Sequence, residues 1–164
     1  MRISIIIPCY NEESTILKII ELVQEALSSD DYEIIVVDDA STDNTKQFIN
    51  INSENGDQVR IIVHEVNSGK GAALRSALNA VTGDVVIIQD ADLEYDPADY
   101  GRLLQPILAE KADVVYGSRF KSGEAARVLY FWHRVGNLIL TWLSNMFTNL
   151  NLTDMETCYK VFRK

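Results

Sequence analysis

The stretch EIIVVDDASTD, residues 33–43, joins a short β-branched run to an abrupt cluster of acidic and small polar side chains. A continuous apolar run of that length predicts a strand buried on both faces, as in a parallel sheet covered by helices. The same unit recurs along the chain. Residues 3–7 run into PCYNE (8–12), 59–64 into NSGKG (67–71), 84–89 into DAD (90–92), and 113–116 into GSR (117–119). Helix-like segments separate the runs: 12–27, then 42–52 behind the capping candidate Ser41, then 69–81, then 97–108 with Pro97 in its first turn. This alternation predicts an α/β domain with three α/β/α layers and a mostly parallel sheet. Ligands of such sheets bind outside the carboxyl ends of the strands. Five polar clusters therefore share one rim and build one crevice.

The 164 residues, 47% hydrophobic and 24% charged, have an ordinary globular composition and about one domain's worth of length. A formal charge of −9 argues against nucleic acid as a partner, because phosphate-backbone affinity needs a basic face. The charge is uneven: residues 1–118 carry 8 basic and 21 acidic side chains, residues 119–164 carry 7 and 3. Cys9 and Cys158 have no metal-ligand spacing, which fits a reducing compartment. The opening MRISIIIPCY is not a signal peptide, and the apolar stretch 138–150 is interrupted by Thr141, Ser144, Asn145 and Thr148, short of the roughly 20 residues a span requires. The expected location is cytoplasmic, or the cytoplasmic face of the membrane. Residues 117–126 read as a loop and 127–150 as a long helix. Along that helix Val128, Phe131/Trp132, Val135, Leu138/Ile139, Trp142/Leu143, Met146/Phe147 and Leu150 recur at helical steps. The stripe is read first as a face packed on the core and second as an interfacial helix. The chain ends in a strand-like segment, 158–162.

Asp90 and Asp92 flank a small residue and offer hard oxygens to Mg²⁺ or Mn²⁺, whose shell is then completed by water and substrate phosphates. That points to a nucleotide diphosphate ligand. Asp96 and Asp99 are read as capping the next helix. Of Asp38 and Asp39, one can accept from a nucleobase N–H or a ribose hydroxyl while the other is held by backbone amides. Ser41 and Asp43 have a structural reading as helix cap and first-turn dipole partner. In NSGKG, backbone amides and Lys70 could meet a phosphate or base. Neither GxxxxGK[ST] nor GxGxxG is present.

Taken in order, PCYNE, DDASTD, NSGKGAAL, DADLEYDP, GSRF and TDMETCYKVF resemble the inverting glycosyltransferase family 2 with the GT-A fold, in its polyprenyl-phosphate branch. The resemblance runs from Ile3 to Arg163. It implies that Pro8, Tyr10, Glu12 and Asp39 line a nucleoside pocket; Asp38 and Lys70 are nucleotide-binding candidates on the reading of the residues themselves. It also implies that Asp90 and Asp92 form the DxD-type metal and diphosphate site, and that Asp154 is the acceptor-side aspartate, catalytic together with Asp92. Arg119 and Arg134, near Lys121, Arg127 and His133, are candidates for an anionic acceptor's phosphate. The implied donor is a UDP- or GDP-sugar and the implied acceptor a lipid phosphate, with peripheral membrane contact. The family pattern commonly has a glycine where this chain has Thr157 or Cys158, and similar enzymes continue past the position of Lys164. One domain, 1–164, is expected, incomplete at its C-terminus, with a nucleotide-sugar part (1–118) and an acceptor part (119–164). A saccharide-hydroxyl acceptor and a non-catalytic nucleotide-sugar-binding module remain as alternatives. A nucleotidyltransferase would need a glycine-rich loop that residues 3–12 lack.

Overall fold

The structure, a computed structural model, describes residues 1–28, 30–53, 58–118 and 130–164. Its centre is a pair of seven-residue strands, β1 (Ile3–Cys9) and β2 (Tyr32–Asp38), buried along their whole length. They pair in parallel, as do β2 with β3 (Val59–Val63) and β1 with β4 (Val85–Ile88). Successive side chains point to opposite faces. Ile3, Ile5 and Ile7 therefore meet Ile16, Ile19, Ile20 and Val23 of α1 (Ile16–Ala26), Ile49 of α2 (Thr45–Ser53), and Leu103, Leu104 and Ile107 of α4 (Tyr100–Leu108). Ile6 on the other face meets Ala73 and Ala77 of α3 (Lys70–Leu78). Each large aliphatic side chain taken out of water here contributes roughly 1.5–3 kcal/mol.

The sheet order is β3-β2-β1-β4-β6-β5. The sheet is mostly parallel, as the alternation predicts, and the strand order adds one feature. β5 (Val114–Tyr116) does not pair with β4, because β6 (Lys160–Arg163) lies between them, antiparallel to both. Burial explains the order: Val161 is fully buried, whereas Val114 at the edge is 57% exposed. The insertion also brings residues 154–159 to the carboxyl rim of the parallel strands.

Helices begin later than the periodicity predicts. Glu12 lies outside α1, in the turn whose carbonyl accepts from the amides of Thr15 and Ile16. The α2 segment is capped by Asp43, which accepts from the Thr45 amide at 3.0 Å, and not by Ser41, whose hydroxyl accepts from the Asn11 amide at 3.0 Å. Asp96 does cap the next helical turn, accepting from the Ala98 amide at 2.9 Å.

The larger correction concerns α5 (Phe131–Thr148). Its apolar stripe does not pack on the core. Trp132 is 76% exposed, Trp142 63% and Phe147 81%, while the helix buries Asn137 and Thr141. Polar anchoring is the reason: Asn137 Nδ2 donates to Asp154 and to Glu156, both at 3.0 Å, and Asn145 exchanges two hydrogen bonds with the Leu152 backbone. The start of the expected helix, 127–129, and most of the expected loop, 119–126, lie outside the described residues, as do Arg119, Lys121 and Arg127.

Candidate functional site

At the carboxyl ends of β1, β2 and β4 a cleft of about 230 Å³ is lined by Pro8, Cys9, Tyr10, Glu12, Asp39, Lys70, Ala73, Asp90, Ala91 and Asp92. The sheet registers dictate this convergence. Cys9 sits opposite Asp38 and Ile6 opposite Ile88, so the residues that follow each strand emerge side by side. Three of the emerging loops contain a non-glycine residue in the left-handed region: Asn11 at φ 57°, Ala40 at φ 61° and Leu93 at φ 61°. Such backbone persists where surrounding bonds over-determine it. Here the first two loops are laced together, since Thr42 donates to Asn11 Oδ1 at 2.8 Å and the Glu12 amide donates to Thr45 Oγ1 at 2.8 Å.

Asp39 is the hub of the nucleoside side. Its oxygens accept from the amides of Ser68 (3.0 Å) and Gly69 (2.7 Å), and Oδ1 lies 2.6 Å from His64 Nδ1. Burial alone would raise this carboxyl; the two amides and His64 outweigh it and hold it below the usual range. His64 in turn reaches Ser76 Oγ at 2.8 Å through Nε2. Against an ionised Asp39 a neutral ring keeps its proton on Nδ1, and Nε2 then accepts from the serine hydroxyl. The NSGKG amides of Ser68 and Gly69 are thus committed to Asp39, and of that loop Lys70 is what enters the cleft. Asp38 points elsewhere. It is 1% exposed, accepts from the Ser41 amide through Oδ1, has no partner at Oδ2 among the described residues, and is not among the residues lining the cleft.

On the diphosphate side Lys70 Nζ sits 2.5 Å from Asp90 Oδ1 and 3.7 Å from Cys158 Sγ. Burial would lower the lysine's pKa, but the Asp90 contact carries it above the ordinary value. Asp92 is exposed and accepts from the Glu94 amide at 2.9 Å. Two carboxylate oxygens from a Asp-Ala-Asp turn suit a hard ion such as Mg²⁺ or Mn²⁺ that takes its remaining ligands from water and phosphate. Among the described residues no third His, Cys, Asp or Glu joins them. Burial, then Asp38 and Glu12, push the Cys9 thiol up to about 12, and burial followed by Asp90 raises Cys158.

Asp154 lies on the far side, 1% exposed, with Oδ1 accepting from Asn137. It is not among the residues lining the cleft. Arg134, on the first turns of α5, is exposed and its amide donates to the Tyr130 carbonyl. Sequence reasoning assigned no role to His64 or Asn137, and none to Cys158 beside Lys70. His64 had a readable signal, a titratable side chain at a strand's carboxyl end. Asn137 had none, being a polar residue inside an apolar stripe.

The open α/β sheet with a paired-carboxylate cleft on its carboxyl edge has the fold of the GT-A class, as its likeness to solved glycosyltransferases shows. The chain belongs to that class through one family: Glycosyl transferase family 2 matches residues 4–164. It is 32% identical to a UDP-N-acetylglucosamine–dolichyl-phosphate N-acetylglucosaminyltransferase of Methanococcus voltae, covering 99% of this chain and 69% of that protein. It is 35% identical to an undecaprenyl-phosphate 4-deoxy-4-formamido-L-arabinose transferase of Serratia proteamaculans, covering 99% of this chain and 49% of that protein. Among solved structures, glucosyl-3-phosphoglycerate synthase of Mycobacterium tuberculosis, in complex with Mn²⁺, UDP and phosphoglyceric acid, superposes with a TM-score of 0.73 at 25% identity. That match covers 99% of this chain and 55% of the solved one, so the chain spans about half of two of these three relatives.

Proposed function

We propose that this chain is the GT-A catalytic domain of an inverting glycosyltransferase that moves a hexose from a UDP- or GDP-sugar to a polyprenyl or dolichyl phosphate, with the nucleotide-sugar part in 1–118 and the acceptor part in 119–164. The observation that carries the reading is the meeting of Pro8, Tyr10, Glu12, Asp39, Lys70, Asp90 and Asp92 in one cleft. In this reading the nucleoside lies against Pro8 and the half-exposed Tyr10 ring, with Asp39 fixing the loop beneath it. Lys70 faces the diphosphate, and Asp90 and Asp92 hold a divalent ion. Such an ion, when bound, offsets the charge that develops on the departing diphosphate.

On the acceptor side Asp154 is oriented by Asn137. A lipid phosphate arrives with an anionic oxygen, so Asp154 then has only to position the nucleophile. Arg119 and Arg134 are proposed to receive the acceptor's phosphate, and the outward apolar face of α5 to rest on the cytoplasmic face of the membrane. No helix among the described residues is long and apolar enough to cross a bilayer. A hydroxyl acceptor is the second reading, favoured by the phosphoglyceric acid in the Mycobacterium tuberculosis structure.

Isothermal titration with UDP and GDP, with and without Mn²⁺, tests the donor site. Metal-dependent binding of one nucleotide is expected; absence of binding to either would refute it. Sugar transfer to polyprenyl phosphate then distinguishes an enzyme from a binding module.

A further inference from the structure

Among the described residues lining the cleft, Lys70 is the one cation, set against Glu12, Asp39, Asp90 and Asp92. Its ammonium holds Asp90 Oδ1, the same carboxylate that is proposed to hold the divalent ion. An ion bound at about 2.1 Å from that carboxylate and an ammonium at hydrogen-bond distance from it repel each other strongly in a partly buried site. The side chain nevertheless borders solvent into which it can swing. Its backbone starts α3 immediately after Gly69, which Asp39 clamps, whereas its own side chain is 49% exposed and has the Cys158 sulfur on its other flank.

We propose that Lys70 is an intrinsic stand-in for the metal: it neutralises Asp90 while the cleft is empty and must leave that carboxylate before a divalent ion can bind. The proposal rests on the donor-site reading for one step, the arrival of a diphosphate whose oxygens give the displaced ammonium a new partner. Metal and nucleotide then bind cooperatively. Metal alone meets a competitor, and the nucleotide removes it. By linkage the metal tightens the nucleotide by the same factor.

The test is Mn²⁺ binding, read from the electron paramagnetic resonance signal of free aquo-Mn²⁺, in the wild type, Lys70→Met and Lys70→Arg, with and without UDP or GDP. Methionine keeps the length and apolar stem of the side chain on an exposed first-turn position. Lys70→Met is expected to bind Mn²⁺ alone ~10-fold more tightly than the wild type, a size ordinary for coupled sites, and to show a correspondingly smaller tightening by nucleotide, the remainder coming from the phosphates that ligate the ion directly. Lys70→Arg, which keeps the charge, is expected to stay near the wild type for Mn²⁺ alone. Unchanged or weaker Mn²⁺ binding by Lys70→Met would overturn the proposal. If neither nucleotide alters Mn²⁺ binding by the wild type, the donor-site reading fails along with the cooperative step, while the Mn²⁺-only comparison still decides whether Lys70 competes for Asp90.

Discussion

Asp39 and Asp154 show how a carboxylate's neighbours set its work. Asp39 commits both oxygens to Ser68, Gly69 and His64, so its contribution to a nucleoside pocket is the shape of the loop as much as its charge. Asp154 is buried against Asn137. Asp154→Asn preserves shape and removes the basic oxygen. With polyprenyl phosphate as acceptor, turnover is expected to fall less than ~10-fold, whereas a hydroxyl acceptor would cost the ~10²–10⁴ that a general base supplies. Steady-state kinetics with both acceptor classes separates the two. The DAD and DDASTD carboxylates were legible in the sequence because they follow apolar runs directly. The division of labour between Asp38 and Asp39 was not, because adjacent residues point to opposite sides of a strand end and only the neighbouring loops decide which side is the cleft.

At the scale of elements, the loops after β1 and β2 act as one unit, zipped by Asn11, Glu12, Glu13, Thr42, Asp43 and Thr45. Much of the polar sequence that suggests ligand binding is therefore spent holding the rim together. The α5 helix presents the reverse surprise, since its polar side docks and its apolar side faces out. The periodicity was readable, but its direction depended on Asp154 and Glu156, which approach from the β6 lead-in. Both tryptophans of the chain, Trp132 and Trp142, lie on α5 and are exposed. Adding phosphatidylglycerol vesicles is expected to shift their emission to the blue, and Phe147→Glu to weaken the shift. An unchanged spectrum would exclude the membrane role proposed for this helix.

Across the whole molecule, the amino ends of the strands are joined by a buried carboxylate. Glu33, from β2, accepts from Ser4 of β1 at 2.6 Å, from the amide (2.6 Å) and hydroxyl (2.9 Å) of Thr82, and from Arg60 of β3 at 3.4 Å. Burial would raise its pKa, but the bonds from Ser4 and Thr82 and the charge of Arg2 outweigh it and hold it at about 2. The folded value lies below the unfolded one near 4.5, so this stabilisation is complete above that pH and fades as pH falls towards 2. Urea midpoints measured across that window should drop with acid, and Glu33→Gln should be less stable at pH 7 with a shallower acid slope. Equal slopes would remove Glu33 from the account. The adjoining turn is equally tight: a Cβ on Gly83 would lie 2.6 Å from Ser4 Oγ.

The sequence by itself determined the α/β alternation, the parallel central strands and the rim on which the acidic clusters gather. Those features follow from local apolar runs and from the handedness of the crossovers. Only the tertiary structure decided that β6 enters between β4 and β5, that Lys70 occupies Asp90, and that α5 turns its aromatic face outward. Each of these depends on contacts between residues far apart in the chain, such as Lys70 with Cys158 and Asn137 with Asp154, and no local periodicity encodes them.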